Sequence, residues 1–183
     1  MSEFDADAWA AQLRQHRREK DDFFAQHQQS PIPPEHRDSF TALNYYDPDP
    51  TYRVEAAIDR SEDPKSVDLE MTTGRTMTYR RVATLTFDLD GERTLAAYHR
   101  DGSEELFVPV ADPTNGDTTY GKGRYLDLQV EPTDLVDHDR LMLDFNLLYA
   151  PFCAYSETFD CPLPTDENHL DVRVEAGERS WEP

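Results

Sequence analysis

Cys153 and Cys161 are the two cysteines of the sequence and carry its most reactive side chains. In a reducing cytosol we expect free thiols or metal ligands rather than a disulfide, because disulfides persist mainly in oxidising compartments. A structural zinc takes four ligands, and the spacing of this pair is not that of a zinc knuckle, so the fold would have to add a histidine such as His169. Two packed thiols explain the pair without a metal, and zinc remains the alternative.

The loop of residues 112–125 combines three glycines with two cations, Lys122 and Arg124, in a strongly acidic chain. Glycine lets backbone amides approach a ligand closely, and arginine binds carboxylate and phosphate groups through paired hydrogen bonds. We therefore expect Arg124 to anchor an anionic group, with Tyr120 and Tyr125 as stacking walls. The alternative is that a long loop before a strand contains the same residues without any ligand.

Asp144 and Asn146 lie in an apolar stretch, residues 141–149, that we interpret as a strand. In a strand their side chains share one face, and burial costs free energy unless they bind each other, an arginine or a ligand. Arg124 is the obvious partner. We expect the pair to orient polar groups of a ligand, and a solvated strand face is the alternative.

The stretch from residue 151 to residue 169 is dense in aromatic, polar and turn-forming residues. We expect Tyr155 to supply a third stacking wall, and Glu167 and Asn168 to supply further polar contacts. Together with the two preceding stretches it is expected to form one pocket, because a few polar groups among aromatic walls are typical of small-molecule sites.

An amphipathic helix is predicted at the N-terminus, from Asp5 to near Gln28, by apolar residues at helical spacing and by the absence of proline and glycine. Asp5 or Asp7 is the expected N-cap, and Pro31 follows the predicted end. The expected organisation is this helix, within residues 1–30, and a single β domain over residues 31–183.

Alternating hydrophobicity then predicts a run of strands, with Asp90-Gly91 and Asp101-Gly102 as tight turns. Because no helical segment separates the strands, we predict a mainly β protein, an antiparallel meander forming a β-barrel or β-sandwich. The remaining segments are a polar loop at 60–65 and a frayed tail at 178–183. The predicted strands are 52–58, 67–71, 76–89, 92–100, 105–110, 124–130, 141–149 and 170–175.

Acidic residues dominate the composition: 38 Asp and Glu against 18 Lys and Arg give a formal net charge of -20 over 183 residues. Nucleic acids and anionic membranes attract Lys and Arg, so this charge argues against both partners. No stretch is apolar enough to span a membrane, and the N-terminus lacks a signal peptide, so we expect a cytoplasmic protein. The acid excess predicts a halophilic protein of haloarchaeal type, because concentrated salt screens the repulsion.

Several motifs follow one another along the chain, and together they resemble the bacterial and archaeal family called domain of unknown function 1684. They are KDDFF at 20–24, YYDPDPTYRV at 45–54, LFVP at 106–109, TYGKGRYL at 119–126, DFN at 144–146, CAYS at 153–156, CPLP at 161–164 and EN at 167–168. The resemblance implies no substrate, cofactor or catalytic residue. The family has a small residue where this chain has Lys122, which weakens the case for an anion cradled by bare backbone.

Three functions are consistent with these residues. The first, which we favour, is a small-molecule-binding β domain with a polar pocket for an anionic ligand. The second is a hydrolase in which Asp144 or Glu167, with or without a metal, acts beside Arg124 as an electrostatic stabiliser. The third is a structural or interaction protein without a ligand site, in which the helix covers the barrel or forms a homodimer contact.

Overall fold

Helix α1, Ala6–Gln26, begins the computed structural model, which describes residues 3–183. Asp5 is the N-cap, as predicted, and its carboxylate accepts a hydrogen bond from the Ala8 N–H at 3.0 Å. Leu13, Arg17 and Phe24 share one helix face and are buried. This face docks α1 on the rest of the molecule. Residues 1 and 2 of the predicted helical segment lie outside the described residues.

Six antiparallel strands form one sheet that is curled into a half-barrel, which confirms the predicted mainly β fold. Their order across the sheet is β5-β4-β3-β2-β1-β6, so β1 to β5 form a meander and β6 returns to the free edge of β1. The strands are β1 Arg53–Glu70, β2 Thr76–Asp88, β3 Glu92–His99, β4 Leu106–Val110, β5 Arg124–Leu128 and β6 Arg140–Asp144. The short helices are α2 Pro34–Arg37 and the 3-10 turns Pro50–Tyr52, Asp134–Asp137, Phe145–Leu147, Phe152–Ala154 and Asp166–Asn168.

Strand β1 replaces two predicted strands and the polar loop expected between them. It pairs with β2 on both sides of a bulge: Arg60 lies opposite Ala83, and Lys65 lies opposite Arg81. The bulge takes up the extra residues on β1 while the backbone stays extended. The polar residues between Arg60 and Lys65 are therefore a strand irregularity and not a loop.

The predicted strand at 170–175 is not a strand in the structure. The Val174 N–H donates to the carboxylate of Asp112 at 2.8 Å instead of to a neighbouring strand, and the Val174 side chain lies in the core. The alternating pattern of this segment therefore reflects side chains that are buried on one side, although its backbone does not join the sheet. The predicted strand at 141–149 is also shorter, because Asp144 caps a 3-10 turn by accepting from the Asn146 N–H at 3.0 Å.

The tight turn between β2 and β3 is confirmed, since Asp90 and Gly91 both have positive φ, 52° and 106°. Gly177 also has a positive φ, of 80°, and a side chain there would place its Cβ 2.6 Å from the Leu148 carbonyl oxygen. Only glycine fits this close approach of the C-terminal segment to the turn after β6.

Apolar side chains fill both faces of the sheet. The larger core includes Leu85, Leu95 and Phe145, and a smaller cluster on the other face is built around Tyr79 and Tyr98. A third cluster joins α1 to the C-terminal half of the chain; its members include Phe24, Phe40, Ala150, Tyr155 and Trp181. Within residues 3–183, no helix is both long and apolar enough to cross a membrane.

Candidate functional site

Two of the three stretches singled out in the sequence line one cavity of about 270 Å³. Tyr120 contributes to one wall and Tyr155 to another, and the end of the chain adds Arg179 and Trp181. We call this space the C-terminal cavity. It brings three aromatic side chains and one cation together.

The loop on one side of the C-terminal cavity is held by its own side chains. The Thr114 hydroxyl donates to Asp112 at 2.9 Å, and the Asn115 amide donates to the Thr119 hydroxyl at 2.9 Å. Gly116, which lines the cavity, turns the chain with a φ of 81°. This wall is therefore fixed without a ligand, which lowers the entropic cost of binding one.

The opposite wall follows the bond between Cys153 and Cys161, which the structure joins as a disulfide. This corrects the expectation of free thiols. The rings of Phe152 and Phe159 pack with their centroids 5.2 Å apart, which holds the two ends of this short segment together. Ala154 and Tyr155, directly after Cys153, line the cavity.

The disulfide also removes the two cysteine ligands that the alternative zinc site would need. Sulfurs bonded to each other are not thiolates, and thiolate is the form that zinc binds. His169 is exposed, and its backbone bridges to Ala111. Across residues 3–183 there is no group of three or more His, Cys, Asp or Glu side chains placed to hold a metal ion.

The C-terminal segment is ordered by contacts, and the expectation of a frayed tail is wrong. Glu178 is fully buried, and the Ser180 N–H donates to the Thr118 carbonyl at 2.9 Å. The Trp181 ring lies beside Tyr155, with 5.8 Å between centroids. Sequence reasoning missed Arg179 and Trp181, although a tryptophan is itself a signal that a terminal segment packs against something.

Arg179 gives the C-terminal cavity an unpaired cation. Its guanidinium lies 5.1 Å from the Tyr46 ring centroid, and none of the described residues gives it an ion pair or a side-chain hydrogen bond. Asp117, at the same cavity, is paired with Arg173 at 2.9 Å, and the other carboxylate, Glu182, is exposed.

The two tyrosines of this cavity have hydroxyls that form no hydrogen bond within residues 3–183. Burial raises the pKa of Tyr120, so its hydroxyl keeps its proton at neutral pH. The Tyr155 hydroxyl is buried and has no hydrogen-bond partner within residues 3–183. A buried hydroxyl without a partner is uncommon in proteins, and an ordered water is the usual way to satisfy one.

Arg124 lies away from the cavity in the protein interior, with no exposed surface. Its guanidinium pairs with Asp112 at 3.4 Å and donates to three backbone carbonyls, those of Val174, Ala176 and Glu178. Burial lowers the pKa of Arg124, and the Asp112 charge acts in the opposite direction. The anion that Arg124 binds in this structure is thus a side chain of the protein itself.

Tyr125 is also internal. Its hydroxyl donates to the Pro162 carbonyl, and its ring meets Phe107 edge-on at 4.7 Å between centroids. Strand alternation explains why it is separated from Arg124, since neighbouring residues of β5 point to opposite faces. Neither Tyr125 nor Arg124 lines the C-terminal cavity.

Asp144 and Asn146 do bind each other, as the cost of burying them predicts. The Asn146 amide donates to Asp144 at 2.9 Å and to the Asp49 carbonyl at 2.8 Å. The remaining partners of Asp144 are the Trp9 indole, at 2.8 Å, and Arg53. The pair therefore joins α1, the start of β1 and the end of β6 rather than Arg124 and a ligand.

Glu167 and Asn168 contact strands β2, β3 and β4 and do not line the C-terminal cavity. Glu167 accepts from Arg81 and from the Tyr98 hydroxyl, at 3.0 and 2.8 Å, and the Arg81 bonds lower its pKa. Asn168 is fully buried and bonds the backbone of Ala96 and Pro109. Both residues fasten the loop after the disulfide to the sheet.

The hydrolase hypothesis requires Asp144 or Glu167 beside Arg124. In the structure these three side chains have separate partners, and no hydrogen bond or ion pair within residues 3–183 joins Arg124 to either carboxylate. The geometry of the described residues gives this hypothesis no support.

The curled antiparallel sheet, the docked helix and the C-terminal cavity define a half-barrel domain that carries one long N-terminal helix. The chain belongs to the family described as Protein of unknown function (DUF1684), whose model matches residues 38–179. This confirms the resemblance seen in the motifs.

One solved structure is similar over nearly the whole chain. It is the solution NMR structure of the uncharacterized protein from gene locus rrnAC0354 of Haloarcula marismortui, with 55% sequence identity and a TM-score of 0.74. The match covers 94% of this chain and 95% of that one. No curated protein matches the chain.

Proposed function

We propose that the protein binds a small organic anion with a flat ring in the C-terminal cavity. The observation that carries the proposal is the convergence of Tyr120, Tyr155 and Trp181 on one cavity beside the unpaired Arg179. Aromatic side chains contact flat rings over a large area at low entropic cost, and arginine selects carboxylate or phosphate groups. The anchor in this proposal is Arg179, which takes the role first expected of Arg124.

The binding test uses the fluorescence of Trp181 in a Trp9→Phe background. Trp9 and Trp181 are the two tryptophans of the chain, so the remaining emission reports the cavity. Benzoate and phenyl phosphate in molar KCl should quench this emission to saturation, and benzamide, the neutral analogue of benzoate, should bind about tenfold more weakly.

An Arg179→Gln variant should bind benzoate no better than benzamide. The matched control is Arg75→Gln, because Arg75 is also exposed and unpaired within residues 3–183 but lies outside the cavity. The proposal fails if benzoate and phenyl phosphate leave the emission unchanged, or if Arg179→Gln and Arg75→Gln bind benzoate equally well.

We also propose that the protein works in a cytoplasm of high salt concentration that is oxidising enough to keep the Cys153–Cys161 disulfide. The net charge of -20 supports this, as does the similarity to a protein of Haloarcula marismortui. The homodimer contact through α1 stays a prediction, and Phe24 would not take part in it, because it is buried inside the molecule.

A further inference from the structure

A second cavity, of about 210 Å³, lies where the hairpin between β3 and β4 meets β5. Its walls include Tyr79, Phe107, Arg100, Glu105 and Asp127. We call it the hairpin cavity. None of its lining residues belongs to the C-terminal cavity.

Tyr79 lines the hairpin cavity and has a hydroxyl that forms no hydrogen bond within residues 3–183. The residue is only 8% exposed, and its ring stacks on Phe107 with 5.5 Å between centroids. No residue of the described chain hydrogen-bonds the Tyr79 hydroxyl, yet this oxygen is not among the fully buried polar atoms that lack a partner. Part of the exposed surface of Tyr79 therefore belongs to its hydroxyl, and the residue lines the hairpin cavity.

Asp127 supplies a half-buried carboxylate with one free oxygen. Its Oδ2 accepts from the Tyr149 hydroxyl at 2.5 Å, whereas Oδ1 has no partner within residues 3–183 and is not fully buried. Burial raises the pKa of Asp127, so a cation bound at Oδ1 would offset an existing cost. Glu105, which accepts from Gln129, adds a second carboxylate.

Arg100 supplies the opposite charge. It is exposed, and its guanidinium forms no ion pair with any residue between 3 and 183. Arg100 lines this cavity together with Tyr79 and Asp127. Burial raises the pKa of Tyr79, the Arg100 charge lowers it, and the Asp127 charge raises it further. The cavity thus presents a cation, carboxylates and an apolar ring together.

We propose that the hairpin cavity binds a small zwitterion, a molecule with one ammonium group and one carboxylate, of the class of free α-amino acids. Asp127 and the Tyr79 hydroxyl bind the ammonium group, and Arg100 binds the carboxylate. The side chain of the ligand packs on the ring of Phe107. This site is independent of the anion site proposed for the C-terminal cavity.

The test is amide NMR of the full chain in molar KCl with the free proteinogenic amino acids as probes. At least one amino acid should shift the amides of residues 100–107 and 127. For L-leucine the matched analogues are isocaproate, which lacks the ammonium group, and isoamylamine, which lacks the carboxylate. Each analogue should bind about tenfold more weakly than the zwitterion it derives from.

Variants separate the two charges. Arg100→Gln should weaken the zwitterion but leave isoamylamine unchanged, and Asp127→Asn should weaken the zwitterion but leave isocaproate unchanged. Arg75→Gln should change nothing. The proposal is overturned if no amino acid shifts these amides, if either analogue binds as tightly as the zwitterion, or if the shifts lie only around Trp181.

Discussion

At the scale of single residues, two arginines have exchanged the roles that their sequence positions suggest. Arg124 lies in a glycine-rich loop region but is sealed inside, where Asp112 and three carbonyls use its donors. Arg179 lies in what looks like a loose tail but stands unpaired at a cavity. The difference is set by which residues of the C-terminal segment return to β5, and local sequence does not record that.

Replacing Arg124 by Gln should destabilise the protein by about 3–5 kcal/mol, because Asp112 then remains buried without its counter-charge. Chemical unfolding in molar KCl measures the loss. Arg75→Gln, which removes an exposed arginine, should change the unfolding free energy by less than about 0.5 kcal/mol. A loss below about 1 kcal/mol for Arg124→Gln would contradict a structural role for this pair.

At the scale of elements, α1 is fastened to the end of the chain by an ion pair. The Lys20 ammonium binds the fully buried Glu178 carboxylate at 2.7 Å and lies 4.9 Å from the centroid of the Tyr149 ring. Arg17 adds a hydrogen bond to the Tyr46 carbonyl at 2.8 Å. The helix is therefore held by polar contacts as well as by its apolar face.

Changing Lys20 to Met should cost about 3–5 kcal/mol, because it strands a buried carboxylate. Adding Glu178→Gln to that variant should restore most of the loss, since residue 178 then carries no buried, unpaired carboxylate. Unfolding free energies of the two single variants and the double variant measure the coupling. If the losses simply add, the two side chains do not depend on each other.

Most helices and strands could be predicted from the sequence, whereas the contacts between distant segments could not. Period and capping predict α1 with its N-cap at Asp5, and alternation predicts most strands of the meander. The C-terminal segment alternates like a strand although the Val174 N–H bonds a side chain, Asp112. Of the residues expected to form one pocket, Tyr120 and Tyr155 line the same cavity and the others do not. Which residues meet depends on contacts between segments that are distant in sequence, and local sequence patterns do not predict such contacts.

At the scale of the whole molecule, the dominant feature is an excess of negative charge, with 38 Asp and Glu against 18 Lys and Arg. Mutual repulsion of these charges favours expansion of the chain, and its range falls to roughly 3 Å in 1 M salt. Salt concentration should therefore decide how stable this fold is.

The urea midpoint of unfolding should rise with KCl concentration, and the rise should be steepest below about 1 M, where screening changes most. A variant that neutralises three exposed acids, Glu35→Gln, Asp137→Asn and Glu157→Gln, should show a smaller rise. A midpoint that does not depend on KCl, or equal rises for both proteins, would show that charge repulsion does not limit stability.

The burial of Glu178 also constrains the order in which this protein can be made. Lys20 and Arg124 both have partners in the segment 174–178. This segment is synthesised after both residues, so these contacts cannot form earlier. While that segment is still inside the ribosome, α1 and β5 lack the contacts that Lys20 and Arg124 make with it. We therefore expect these contacts of Lys20 and Arg124 to form only after Glu178 has been synthesised.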